Sequence, residues 1–188
     1  MKSKSFLVAV TIIVIALNSM AQVEGTFTDP RDGKIYKTVK IGTQTMMAEN
    51  LTYKPATGNY WAFNADPKYI PTNGYLYDWE TAKKACPAGW HLPAKKEYDT
   101  LIKIAGGNSE GPFDYLIKYG DSGFSSSESG YRNGEGMFFD FDSKASFWCS
   151  TPYLNDQAWY LLLDRDDTSV KMSFAKKSFG FSVRCIKD

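Results

Sequence analysis

The stretch from Asp78 to Gly107 constrains the fold most, because it predicts two helices joined by a tight turn. Asp78 is a good helix N-cap, and apolar residues then recur at one-turn spacing until Pro87, which cannot continue a helix. A second helical pattern starts around Pro93 and ends at Gly106-Gly107; its apolar positions are Tyr98, Leu101, Ile102 and Ala105. Ala94 stands at the N-cap position of this second helix, where a Ser or Thr would stabilise it by about 1 kcal/mol.

Strand-like segments flank these helices. Residues 34–41 alternate with a period of two and place Ile35, Val39 and Ile41 on one face, and residues 46–51 are expected to form a second short strand. Four more strand-like segments follow later in the chain, at 147–151, 158–163, 170–174 and 181–186. Residues 163–170 resemble a hairpin with a charged tip. This order predicts an α+β fold, with two helices packed on antiparallel sheets and long irregular loops at 53–75 and 111–136.

Residues 1–21 are predicted to be a secretory signal peptide. Lys2 and Lys4 precede an apolar run from Phe6 to Leu17, and small residues stand just before Gln22. The apolar run is shorter than the roughly 20 residues that a membrane-spanning helix needs. We therefore expect residues 22–188 to form a single domain that is secreted, periplasmic or on the cell surface, with no membrane insertion after signal cleavage.

Charge and cysteine spacing argue against several classes of function. The chain has 22 basic and 21 acidic residues, so removing Lys2 and Lys4 leaves 20 against 21, a net charge near −1. Bulk charge therefore gives no reason to expect a nucleic-acid partner. The sequence has a single histidine and no Cys-x-x-Cys pair, so we expect no metal site, and no motif calls for a cofactor.

The three cysteines, Cys86, Cys149 and Cys185, leave the disulfide pairing open. An oxidising compartment favours one bridge, and three cysteines allow three different single bridges. Cys86 and His91 could also be a nucleophile and its base, but no third group nearby completes a relay. A bridged Cys86 could not act as a nucleophile at all.

Four stretches carry a resemblance to a known family. They are DPRDGKIYKTVKIGTQTMMAENLTY (29–53), GYLYDWETAKKACPAGWHLPAKKEYDTLI (74–102), GYRNGEGMFF with FWCST (130–151), and GFSVRCIKD (180–188). On these motifs the chain resembles the Fibrobacter succinogenes major paralogous domain, and it is distantly similar to C-type lectin-like domains. The likeness implies a C-type lectin-like fold with a disulfide between Cys86 and Cys185. The sequence departs from the family pattern at Met46, at residues 126–128 and at Cys149.

The resemblance and the residues together predict a binding module and no enzyme. The calcium motifs of lectin-like domains are missing, and the acidic run Asp164, Asp166 and Asp167 is typical of a solvated hairpin tip. Aromatic residues in or beside loops suit a carbohydrate or an envelope protein, and the candidate ligand contacts are Tyr60, Trp61, Tyr153 and Trp159. The alternative is an oxidase-like enzyme related to formylglycine-generating enzymes, which would use Cys149.

Overall fold

Sixteen helices and strands are assigned in the computed structural model, which describes residues 24–107, 111–117 and 119–188. The predicted signal peptide lies outside the described residues. The strands are β1 (Glu24–Thr28), β2 (Ile35–Ile41), β3 (Gln44–Met47), β4 (Tyr60–Trp61), β5 (Leu76–Tyr77), β6 (Trp90–His91), β7 (Ser129–Arg132), β8 (Phe138–Phe141), β9 (Lys144–Leu154), β10 (Gln157–Asp164), β11 (Ser169–Lys176) and β12 (Ile186–Lys187). The helices are α1 (Ile70–Asn73), α2 (Trp79–Ala85), α3 (Lys95–Gly106) and α4 (Pro112–Leu116).

The strands form three sheets, in which nearly all the strand pairings are antiparallel. One five-stranded sheet has the order β1-β2-β3-β12-β6, the other has the order β11-β10-β9-β7-β8, and β4 pairs with β5. The pairing of β7 with β9 is parallel. The fold is therefore mixed α+β, mostly strands with a few short helices, and none of the described helices has the length and apolar character needed to cross a membrane.

The two predicted helices form close to the expected positions. Asp78 caps α2 by accepting a hydrogen bond from the Thr81 N–H at 2.8 Å, and α2 ends just before Cys86 and Pro87. Ala94 has no side-chain acceptor for α3, but the Lys95 N–H donates to the Thr151 hydroxyl of β9 at 3.0 Å. The missing local cap is thus replaced by a hydroxyl from a distant strand.

Both large sheets contribute to two hydrophobic clusters, because successive residues of a strand point to opposite faces. Met46 belongs to the first cluster and Met47 to the second, and the same alternation holds for Phe147 and Trp148 of β9. The first cluster includes the buried face of α3, and the second includes α2 and the disulfide cysteine Cys185. Strand residues buried on both sides explain why the sequence shows only partial alternation.

Two strand predictions are corrected by this packing. Ile35 was expected on the same buried face as Val39 and Ile41, yet it is 58% exposed because β3 pairs with β2 only from Thr38 onward and the first cluster ends there. Residues 181–186 were expected to form one strand, but only Ile186 belongs to one, in β12. The rest of that segment makes single bridges to several neighbours, including Tyr77 and Phe147.

The turn-rich region between α3 and β9 contains more regular structure than its sequence predicts. Helix α4 and strands β7 and β8 form within it, and residues 53–75 likewise hold β4, two short 3₁₀ turns and α1. Turn residues mark the boundaries of these short elements, and because they are so frequent here the sequence pattern did not predict the elements between them.

The positions that depart from the family pattern are mainly buried. Met46 and Ser126 are fully buried, and Glu128 is buried with its carboxylate 2.7 Å from the Arg165 guanidinium. Arg165 is half exposed, so it gives the Glu128 charge a partner at the protein surface.

Candidate functional site

The four aromatic residues predicted to contact a ligand do not come together. Tyr153 and Trp159 meet on the β9–β10 hairpin with ring centroids 5.0 Å apart, and Tyr153 also stacks on Phe174 at 4.2 Å. Tyr153 is 40% and Phe174 is 45% exposed. One face of each of these two rings is therefore used within the pair.

Tyr60 and Trp61 lie elsewhere and also pack against the protein. Tyr60 contacts Tyr75 edge-on at 5.1 Å, and the Arg132 guanidinium lies 4.0 Å from the centre of the Trp61 ring. A side chain at Gly180 would come within 3.0 Å of Trp61, so the backbone of Gly180 lies against that ring. The Tyr60 and Trp61 rings therefore mainly stabilise the fold through these contacts.

A different set of rings lines a cavity of about 680 Å³, which we call the aromatic cavity. Its ring-bearing walls come from β7, β10, β11 and the segment after β11. Lining aromatic residues are Tyr131, Tyr160, Phe174, Phe179 and Phe181, and the polar lining includes Asn133, Glu135, Asp140, Lys144, Gln157, Lys176 and Ser178. Aromatic surface with a few polar groups around it is the usual composition of a small-molecule site.

A single backbone pairing places three of these rings on one side. Arg132 and Gly180 exchange two backbone hydrogen bonds, of 3.0 and 2.8 Å, as partners in an antiparallel bridge. Tyr131, Phe179 and Phe181 flank that bridge and therefore share the face opposite to Arg132. Tyr131 lies 5.9 Å from Phe179 with the two rings almost parallel, and Tyr160 packs on Phe181 at 4.4 Å.

One cation of the aromatic cavity, Lys144, is paired with two carboxylates. Lys144 Nζ lies 3.5 Å from Asp140 Oδ2 and 3.3 Å from Asp164 Oδ2. Burial acts to lower the pKa of Lys144, but the charges and hydrogen bonds of the two carboxylates outweigh it and raise the pKa. Lys144 is therefore a fixed cation between two anions. The cavity lining as a whole has two acidic residues, Glu135 and Asp140, and two basic residues, Lys144 and Lys176, so it carries little excess charge of either sign.

One rim residue, Asn133, has donors to offer. Its Oδ1 atom accepts the Glu135 and Met137 N–H groups at 3.0 and 2.9 Å, which fixes the orientation of the amide. Within the described ranges 24–107, 111–117 and 119–188, no hydrogen bond from its Nδ2 group is found. A fixed amide donor beside aromatic rings is well suited to a hydroxyl-bearing ligand.

Cys86 and His91 do not form a catalytic pair. Cys86 is bonded to Cys185, with Cα atoms 5.8 Å apart, as the family resemblance implied. His91 lies between two carboxylates: Nδ1 is 2.6 Å from Asp188 Oδ1, and Nε2 is 3.1 Å from Glu97 Oε1. Burial acts to lower the pKa of His91, but the bonds to Asp188 and Glu97 raise it above its ordinary value. The imidazole therefore ties the helix joint to the last residue of the chain.

Cys149 and the acidic hairpin tip do not line the aromatic cavity. Cys149 is fully buried, its sulfur accepts the Thr151 N–H at 3.4 Å, and burial raises the pKa of its thiol. Asp164 is buried beside Lys144 and not solvated as expected, whereas Asp167 accepts the Ser169 N–H at 3.0 Å on the exposed tip. Within the part of the chain that the structure describes, no group of three or more His, Cys, Asp or Glu side chains could hold a metal ion.

The sequence contains one pattern that points to the rings of the aromatic cavity. Phe179, Gly180 and Phe181 alternate ring, glycine, ring, and the glycine lets the backbone approach Trp61 and Arg132 closely. On the partner segment, Tyr131 likewise stands beside a glycine, Gly130. The pairing between residues 132 and 180 decides which rings meet. Local sequence spacing cannot predict a pairing between residues so far apart in the chain.

The comparisons with known proteins give one family. The family model described as the Fibrobacter succinogenes major domain matches residues 39–187. No curated protein and no solved structure matches the chain.

Proposed function

The chain belongs to the Fibrobacter succinogenes major domain family, and we propose that it is an exported, non-catalytic binding module of the bacterial cell envelope whose aromatic cavity holds a carbohydrate. The observation that carries this proposal is the wall of partly exposed rings, Tyr131, Tyr160 and Phe179, around a space of about 680 Å³, supported from the core by the buried Phe181. Sugar rings present C–H faces that stack on aromatic rings and hydroxyls that need polar partners, and this cavity offers both.

The balance of acidic and basic residues in the cavity lining favours a neutral ligand. Lys144 is already balanced by Asp140 and Asp164, so an extra charge on the ligand would gain little there. Asn133, Ser178 and Gln157 on the rim offer neutral hydrogen-bonding groups. We therefore propose a neutral oligosaccharide as the ligand class, ahead of an envelope protein.

We further propose a C-type lectin-like arrangement for the fold. Two features support it: the disulfide joins the end of α2 to the last segment of the chain, and β12 near the C-terminus pairs with β3 near the N-terminus. Short helices packed against curved antiparallel sheets agree with the same arrangement.

A glycan array probed with the folded chain, disulfide intact, tests the proposed function. We expect hits among neutral oligosaccharides, and we expect Tyr160→Leu to weaken them because it keeps apolar bulk but removes the ring face. Tyr119→Leu is the matched control, since Tyr119 is an exposed aromatic residue outside the aromatic cavity, whereas Tyr153 stacks on the lining residue Phe174. An array without hits, or an equal loss with Tyr119→Leu, would contradict the proposal, and capture of an envelope protein through the same cavity would replace the ligand class.

The oxidase-like alternative gains no support from the position of Cys149. A nucleophilic or redox-active cysteine is normally accessible and has a lowered pKa, whereas Cys149 is buried and its pKa is raised. Thiol labelling of the folded, unreduced protein separates the two proposals: rapid labelling of Cys149 would favour the enzyme, and no labelling would favour the binding module.

A further inference from the structure

A second cavity, of about 630 Å³, has a buried arginine in its wall. We call it the arginine cavity; Arg184 lines it together with Lys34, Lys37, Glu49, Asn50, Ser125 and Ser127. Arg184 is only 2% exposed, so its guanidinium is a buried cation. The aromatic cavity and the arginine cavity share no lining residue.

The hydrogen bonds of Arg184 reach only neutral oxygens. Its Nε–H donates to Asn50 Oδ1 at 2.8 Å, Nη2 donates to the Ser125 carbonyl at 2.8 Å, and Nη1 donates to the Phe124 carbonyl. The rings of Phe124 and Phe147 lie 4.4 and 5.1 Å from the guanidinium. Among the described residues, no carboxylate lies within ion-pair distance of Arg184.

The buried Arg184 guanidinium lacks two kinds of partner: a counter-charge and acceptors for some of its N–H groups. A buried charge without a counter-charge is costly, by several kcal/mol in proteins. A guanidinium also has five N–H donors, and the three bonds named above leave two of them without a described partner. Burial lowers the pKa of Arg184 to about 9, although the nearby Tyr98 and Glu49 act to raise it, so the group stays charged at neutral pH.

The remaining charges of the arginine cavity do not balance Arg184. Two lysines, Lys34 and Lys37, line the same cavity, together with one acidic residue, Glu49. Glu49 Oε2 accepts the backbone N–H of Lys37 at 2.7 Å, so this carboxylate is held on the β2 side of the cavity. Three cations face one anion, whereas the aromatic cavity pairs Lys144 with two carboxylates.

From this imbalance we infer that the arginine cavity binds an oxyanion: a sulfate, phosphate or carboxylate group of a small ligand. Planar guanidinium groups bind such oxygens through paired N–H donors, and lysines add charge without directional demand. The hydroxyls of Ser125, Ser127 and Thr38 also line the cavity and can donate to the same group. The inference does not depend on carbohydrate binding in the aromatic cavity, so either can fail alone.

The test titrates the folded chain with sodium sulfate, sodium phosphate and sodium acetate at constant ionic strength, and follows backbone amide shifts by NMR spectroscopy. We expect saturable shifts for at least one anion, confined to cavity-lining residues such as Asn50 and Ser125, with a millimolar dissociation constant. Comparing the three anions separates a preference for sulfate or phosphate from a preference for carboxylate. No saturation with any of them overturns the inference and leaves Arg184 as an anchor for residues 124–125 alone.

Lys37→Glu and Lys40→Glu form a matched pair of variants. Both lysines are exposed on β2 and both changes alter the net charge equally, but only Lys37 lines the arginine cavity. Lys37→Glu should weaken anion binding by at least about tenfold, and Lys40→Glu should leave it unchanged. Equal weakening by the two variants would mean attraction by bulk charge and would overturn the site.

Arg184→Gln tests the guanidinium directly. It should abolish the saturable shifts, and circular dichroism and the thermal unfolding profile establish whether that variant is folded. If it does not fold, the Lys37 and Lys40 pair decides the matter, because neither exposed side chain belongs to a hydrophobic cluster.

Discussion

The last segment of the chain, residues 180–188, and the β9–β10–β11 hairpins are held in place in different ways. The last segment depends on a few contacts with residues far away in sequence: Cys185 with Cys86, Arg184 with Asn50, and Asp188 with His91. The hairpins join strands that are neighbours in sequence by antiparallel pairing, which is continuous between β10 and β11 and has register shifts only around Ala158 between β9 and β10. A single substitution should therefore lower the unfolding free energy more in the last segment than in the hairpins. The hairpins contribute Tyr160 and Phe174 to the aromatic cavity, and changing these residues should cost the fold little stability.

Removing the disulfide should give the largest effect. Cys86 and Cys185 are 99 positions apart, and a crosslink closing a loop of that length stabilises a protein by roughly 4 to 5 kcal/mol. The double variant Cys86→Ser with Cys185→Ser should lose about that much unfolding free energy in urea. Hydrogen exchange should then rise more at residues 182–186 than in β10 and β11, and a uniform rise would contradict the contrast between the two regions.

Arg184→Met should come next. It leaves Asn50 Oδ1 and two buried carbonyls without donors, so we expect a loss of about 3 kcal/mol in unfolding free energy. Lys40→Met, an exposed change on β2, is the control and should stay within about 0.5 kcal/mol of the parent chain. A fully stable Arg184→Met variant would show that the arginine does not anchor residues 124–125.

Tyr131→Leu should affect binding more than stability. Tyr131 is half-buried in the wall of the aromatic cavity, and losing its ring face should weaken oligosaccharide binding by about 1 kcal/mol, or roughly fivefold. Isothermal titration calorimetry with an array hit measures the change, and urea unfolding checks that the fold is retained. A large stability loss with unchanged affinity would place this ring in the core and not in the site.

The pH dependence of His91 should be the smallest effect. Its folded-state pKa is raised above the ordinary 6.5, so its ion pairs contribute fully below pH 6.5, and that stability is lost as pH rises through the folded-state pKa. His91 is partly exposed, so we expect less than about 1 kcal/mol. Comparing unfolding in urea at pH 5 and pH 8.5 for the parent chain and His91→Gln measures it; the extra loss at high pH should vanish in the variant.

Local patterns predicted the parts of the fold that depend on neighbouring residues. Asp78 and Pro87 bounded α2 correctly, the apolar spacing located α3, and the hairpin between β10 and β11 matched its charged turn. The segment after β11 was predicted less well, since its residues pair with several separate strands. Residue type near loops predicts the four ligand contacts, but residue type does not report whether a ring faces a cavity or another ring.

The sequence by itself determined the α+β character, the two-helix joint and the family, and the family pattern supplied the Cys86–Cys185 bridge. Only the tertiary structure decided which rings line the aromatic cavity and that Arg184 is buried without a carboxylate partner. The physical reason is range: capping and periodicity act over a few residues, whereas a cavity and the charges around it arise where distant segments pack.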